Sequence, residues 1–207
     1  AATSTAVCRA LSGHLGVDLA ANEISELVFE AEKIVHGTPS GIDNTVVAYE
    51  MPVYFIKGQK PETFEPGKLF RLVIGDTGIE ASTKKTVANV RNAWKNEPAL
   101  MEGYFNEIEK ITLNGKIAIE NGNVEQVGEL MDENHDLLNS IGVGHKILEE
   151  LVEIAREKGA LGAKLTGGGG GGNMVALAKN KKTQKKIYDG ITEAGYRAYK
   201  TSFGEQI

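Results

Sequence analysis

Cysteine is almost absent from this chain: Cys8 is the only one among 207 residues. One thiol excludes an internal disulfide and a multi-cysteine metal site, and it fits a reducing compartment. Basic excess is lacking too. The formal net charge is -5, which argues against a general nucleic-acid or membrane-surface role, since both call for a basic surface. No apolar run reaches membrane-spanning length, and no basic-then-apolar segment reads as a secretory signal. Aromatics are sparse at 6%, with a single tryptophan, Trp94. What is present, 41% apolar and 25% charged residues, describes a soluble globular protein, expected in the cytoplasm, of one or two domains.

Glycine is the residue in excess, and six stand in one run, Gly167, Gly168, Gly169, Gly170, Gly171 and Gly172. Glycine loses more conformational freedom on folding than any other residue, so an ordered run of six is costly. It is explained if bare backbone must approach something closely, and consecutive unhindered N–H groups make phosphate the first candidate. The context excludes two familiar phosphate loops. A dinucleotide fingerprint needs a helix directly after the glycines, whereas Met174 to Ala178 reads as strand. A Walker A loop needs Lys-Ser/Thr after them, whereas Lys164 precedes them. The ordinary alternative is a hairpin or linker, but linkers are usually serine-rich with polar flanks.

Apolar spacing predicts helices over 3–15, where Thr3 or Ser4 offers a cap but the small-residue run reads better as the interior of a packed helix start, and from Asn22 to about residue 35. Short strands follow at 53–56 and 69–74. Helices are predicted at 83–95, 98–120, 124–138 and 145–158, then strand 163–166, the glycine loop, strand 173–178, helix 182–194 and strand 196–200. This mixture is α+β. Prolines and polar residues cluster at 58–68, which places a domain boundary there.

Two further segments carry possible chemistry. In His36-Gly37-Thr38-Pro39-Ser40-Gly41-Ile42-Asp43-Asn44, two glycines and a proline impose a turn that presents Asp43. Glu32 lies eleven residues earlier, about 16 Å away if the helix ran on unbroken. The turn must fold back if the two carboxylates are to share a metal or substrate. Such a pair can divide labour, one holding Mg²⁺ and the other accepting a hydroxyl proton. On spacing alone, Asp43 as a helix cap and Glu32 as a solvated residue is the better reading. Ser82 and Thr83 open a helix whose hydroxyls and N–H groups suit an oxyanion, or serve only as an ordinary cap. His14, His135 and His145 are too dispersed to be ligands, with His145 structural near a helix start. Cys8 and Trp94 are expected to be packed.

Taken together, Glu32 to Asn44, Ser82-Thr83-Lys84, Leu138 to His145 and Lys164-Leu165-Thr166-Gly167 with its following glycines resemble the GHMP kinases, and among them the branch acting on mevalonate. Order and spacing agree over nearly the whole chain. The resemblance implies the end of an amino-terminal domain (1–66) followed by a ferredoxin-like α/β sandwich (67–207). It implies ATP-dependent phosphorylation of the primary hydroxyl of mevalonate, with ATP as co-substrate, Mg²⁺ as cofactor and a homodimer as one possible assembly. Asp43 matches the family's catalytic aspartate and Glu32 its Mg²⁺-binding glutamate. Ser82, Thr83, Thr166 and Gly167 to Gly172 match positions near substrate and phosphate. Phosphoryl transfer asks chiefly for positioning and charge neutralisation, which such groups supply.

The family's glycine motif usually reads Gly-Ala-Gly-Gly-Gly-Gly-Cys, so Gly168 stands for the alanine and Asn173 for the cysteine. The first change is expected to loosen the loop by roughly 0.5–1 kcal/mol, and the second puts a polar side chain where a small buried one belongs. The family's main phosphate loop is expected upstream of Ala1, so activity of this chain alone is expected to be impaired. Two rival readings stay open: a GHMP kinase for homoserine, galactose or phosphomevalonate, and a non-catalytic binding domain of the same fold.

Overall fold

The computed structural model describes residues 1–36 and 39–204, and its chain divides into two compact units, Ala1–Glu65 and Pro66 onward. The first unit packs three helices, α1 (Ala2–Leu15), α2 (Ala21–His36) and α3 (Ile42–Tyr49). Ile24, Val28 and Ala48 form its core, with Cys8 and Leu19 packed against them. α1 ends where Gly16 turns left-handed at φ 66°, the conformation only glycine adopts cheaply. Thr3 and Ser4 lie inside α1, as the small-residue run indicates. Asn22 is not the cap of α2: Glu23 reaches back to accept from the Ala20 amide at 2.8 Å, the reciprocal half of a capping box. A hairpin of two short strands, β1 (Val53–Tyr54) and β2 (Glu62–Thr63), closes the unit. β2 lies within the proline-containing stretch, 58–68, for which the sequence predicts no strand.

One part of this unit stays apolar at its surface. Val7, Leu11 and Leu15, at four-residue spacing along α1, are 53%, 56% and 70% exposed. An apolar stripe of this kind marks a packing face rather than a solvated one.

The second unit is built on a four-stranded antiparallel sheet of β3 (Phe70–Asp76), β4 (Gly162–Thr166), β5 (Asn173–Ala178) and β6 (Arg197–Phe203), in the order β4-β5-β3-β6. That is the split β-α-β arrangement of a ferredoxin-like sheet. The first crossover holds α4 (Thr83–Asn96), α5 (Pro98–Glu120), α6 (Val124–Ser140) and α7 (Lys146–Glu157). The second is α8 (Lys181–Glu193). Alternate strand residues Val73, Ala163, Leu165, Met174 and Ala176 face α7 and α8 in the main core. Leu177 and Phe70 point the other way, against Ala118 of α5 and Val127 of α6. Trp94 is not core: it is 44% exposed, edge-on to Phe105, with its N–H donated to Glu102.

β4 is an edge strand, and α6 lies close along it. A Cβ at Gly128 of α6 would overlap the Leu161 carbonyl, and one at Gly162 would overlap Gly128's own carbonyl. Glycine in a helix interior normally costs about 0.5–1 kcal/mol relative to alanine. Here the close approach reverses the sign. Gly128→Ala is expected to destabilise the chain by about 1–3 kcal/mol in urea melts, whereas a stabilised variant would show that α6 does not need the contact.

Candidate functional site

The glycine loop joins β4 to β5, and five of its six residues have positive φ: Gly167, Gly169, Gly170, Gly171 and Gly172. Space is as restrictive as backbone angle. A Cβ at Gly169 would overlap the Val143 carbonyl, and one at Gly171 would lie 3.0 Å from the Ile79 carbonyl. Two loop amides are spent internally. Gly170 donates to Val143 at 2.8 Å and Gly172 to Ile79 at 3.0 Å. The run is therefore not the uniform cradle of open N–H groups that its sequence invites. Thr77 fastens the exit, its amide and hydroxyl donating to the Gly172 carbonyl at 2.9 and 2.8 Å.

Ser82 and Thr83 come to the same place. Ser82 caps α4, accepting from the Lys85 amide at 3.4 Å. A Cβ at Gly168 would meet the Thr83 hydroxyl at 2.9 Å. Gly168 is not in the left-handed region, so the difficulty for alanine there is space alone. Thr83 occupies the volume that a methyl at this position would take. Asn173, the other departure, is exposed and ends the β4–β5 ladder opposite half-buried Thr166. Its polar side chain therefore carries no burial penalty. Beside Gly168 a cleft of about 240 Å³ opens between α4 and α5. Its walls include Val87, Trp94, Phe105 and Val143, with Arg91 as the cation.

Lys164, two residues before Thr166, donates from Nζ to the Leu165 carbonyl at 2.7 Å. Burial pushes its ammonium down to about 8. His145 caps α7, its Nδ1 accepting from the Ile147 amide at 3.2 Å, as a structural histidine would. His135, dismissed by sequence, is only 1% exposed and bonds the strand leading into the loop. No local pattern marks it, because its partners lie far along the chain.

Glu32 and Asp43 lie in the other unit. Glu32 sits on α2 with its side chain 14% exposed, accepting from the Ala1 amino group at 2.8 Å. Asp43 is exposed in the first turn of α3, where the helix dipole favours a carboxylate. Gly37 and Thr38 of the predicted turn lie outside the described residues. The fold-back is nevertheless present: Asn44 donates from Nδ2 to the Ser25 carbonyl of α2 at 3.0 Å. That is seven residues before Glu32, about 10 Å by axial rise. Gly41 makes the sharp entry to α3 at φ 93°, and its α-carbon is flanked by Phe29 and Phe55, 3.5 and 3.2 Å from where a Cβ would stand. Thr45 then ties the helix start, donating to the Gly41 carbonyl at 2.6 Å.

Comparison with known proteins bears directly on this geometry. The family model for the GHMP kinases N terminal domain matches residues 1–50, and that for GHMP kinases C terminal matches 116–197. The chain belongs to the GHMP kinases. Among curated GHMP relatives, mevalonate kinase of Pyrococcus horikoshii is 41% identical over 94% of this chain and 58% of its own length. That of Arabidopsis thaliana is 31% identical over 87% of this chain and 49% of its own. The chain thus spans well under two thirds of these relatives. The solved L. major mevalonate kinase in complex with R-mevalonate superposes with TM-score 0.87 at 34% identity, over 92% of this chain and 60% of that one. Streptococcus pneumoniae phosphomevalonate kinase with AMPPNP superposes at 0.80 but 16% identity, over 96% of this chain and 66% of that one, a likeness of fold alone.

Lys164 supplies a pH test of this strand. Its folded pKa, about 8, lies below the ordinary 10.5. Between those values the unfolded chain binds more protons than the folded one, so stability contributed at this site rises with pH. Lys164→Met is expected to be more stable than the parent by about 1–2 kcal/mol at pH 7, an advantage that shrinks from pH 8 to pH 10.5. A pH-independent difference in thermal melts would show that the ammonium is not desolvated.

Proposed function

We propose that this chain carries part of the machinery of an ATP-dependent kinase that phosphorylates the primary hydroxyl of mevalonate to 5-phosphomevalonate. The observation that carries the reading is that relatives named mevalonate kinase match 94% of this chain at up to 41% identity. Asp43 would orient the hydroxyl and take its proton. An exposed carboxylate in the first turn of a helix is accessible to a substrate hydroxyl, as such a base must be. Glu32 would hold Mg²⁺. That ion takes one or two protein carboxylates and fills its remaining positions with water and phosphate oxygens, so a single carboxylate suits it. Among the described residues no group of three or more His, Cys, Asp and Glu side chains is placed to hold a metal, and a phosphate-borne ion needs none. Mg²⁺ supplies neutralisation of charge on the transferring phosphoryl group.

Ser82, Thr83 and Gly167 to Gly172, in the second unit, would border bound phosphate. Gly167 and Gly168 are exposed, and in this role the loop is a rigid wall rather than the main phosphate cradle. A cytoplasmic location suits the single thiol and small polar substrates. Among the described residues no helix is long and apolar enough to cross a membrane.

The test is phosphoryl transfer from MgATP to (R)-mevalonate, followed by ³¹P NMR beside a full-length relative. Asp43→Asn is expected to lower the chain's rate by at least about 100-fold. An unchanged rate would remove Asp43 from the chemistry, and preferential transfer to galactose or homoserine would reassign the substrate.

A further inference from the structure

We propose that His135, Asn139 and Glu149 form a positioning clamp that fixes the path of the glycine loop at two points. The proposal rests on reading that loop as the wall of a phosphoryl-transfer site. It starts from the exposed edge of β4. An edge strand presents N–H groups with no strand partner, and α6 supplies side-chain acceptors in place of a fifth strand. Asp132 accepts from Ala163 at 2.9 Å, and His135, one helical turn on, accepts at Nδ1 from Leu165 at 3.2 Å. Asp132 is held in turn by Arg156, at 2.8 Å.

The His135 bond determines its tautomer. With Nδ1 accepting, the proton of the neutral ring sits on Nε2 and is donated to Glu149 at 3.1 Å. Asn139 stands one turn further along α6 and donates to the same Glu149 oxygen, also at 3.1 Å. The Asn139 side-chain oxygen, Oδ1, lies against the backbone of Gly144, where a Cβ would overlap it. The preceding residue, Val143, accepts from Gly170 at 2.8 Å. One carboxylate therefore references both the entry to the loop, at Leu165, and its middle, at Gly170.

Glu149 is not required for packing. Its side chain is 48% exposed, while its neighbours Leu148, Leu151 and Val152 fill the core. Its two bonds go to the two side chains that touch the loop's supports. None of the three residues lies in the loop itself. They are positioning residues, and their worth follows from the sensitivity of transfer to small displacements, about 100-fold for 1 Å.

Amide hydrogen exchange, measured by NMR on the whole chain, tests the clamp. Glu149→Ala is expected to speed exchange at Gly170 about tenfold, the effect of one lost hydrogen bond on a local opening. Val73 and Ala176, in the paired central strands, should change less than about twofold. Asn139→Ala should reproduce this contrast, and Glu149→Gln, which keeps an acceptor oxygen, should restore most of the protection at Gly170. Unchanged exchange at Gly170 in both alanine variants, or a rise in step with Val73 and Ala176, would overturn the clamp. The readout is exchange rather than turnover, so it stands or falls separately from the kinase reading.

Discussion

The Val143 carbonyl stands where a side chain at position 169 would have to go, and much of the second unit is arranged around that approach. Backbone meets backbone there without intervening side chains, which permits the Gly170 bond at 2.8 Å. Ile79 repeats the contact at Gly171 and Gly172. The entropy lost in ordering glycine is offset by interactions that other residues would block. The outcome is a loop held on both sides by turns that follow β3 and α6. A site for phosphoryl transfer has little covalent work to do and depends on such fixed walls.

The first unit solves a similar problem with different chemistry. Asp43 is exposed, while its helix start is anchored from beneath. Gly41 sits between two aromatic rings, Asn44 reaches two acceptors on Ser25, and Thr45 closes on Gly41. All three anchoring residues are buried while Asp43 and its neighbour Ile42 are exposed. Glu32 is partly shielded, whereas Asp43 is open to solvent.

Much of this was legible in sequence because it is local. Apolar periodicity located the helices other than α3, which is too short to show it, and strand following the glycines separated the loop from nucleotide fingerprints. β2 was missed because Glu62 and Thr63 are both exposed and carry no apolar alternation. They are strand only by pairing with Val53 and Tyr54. That strand follows the glycines also pointed to a supporting wall rather than a phosphate cradle, but the acceptors of Gly170 and Gly172, Val143 and Ile79, were not legible because they lie on distant turns. His135 escaped notice for the same reason. A lone histidine in a helix has no signature, and its meaning comes from Leu165 and Glu149. Trp94 packs, edge-on to Phe105, but at the surface, because α4 has no buried residue.

The central claim is that close approach, and not backbone angle alone, demands bare glycine in this loop. Gly169 and Gly172 separate the two causes. Their φ values, 71° and 73°, impose nearly the same strain on alanine. Only at 169 does a Cβ meet backbone, and at 172 nothing lies within 4 Å. Urea denaturation of Gly169→Ala and Gly172→Ala should show the first to be less stable by about 1–3 kcal/mol beyond the shared strain of about 1–2 kcal/mol. Equal losses would contradict the account.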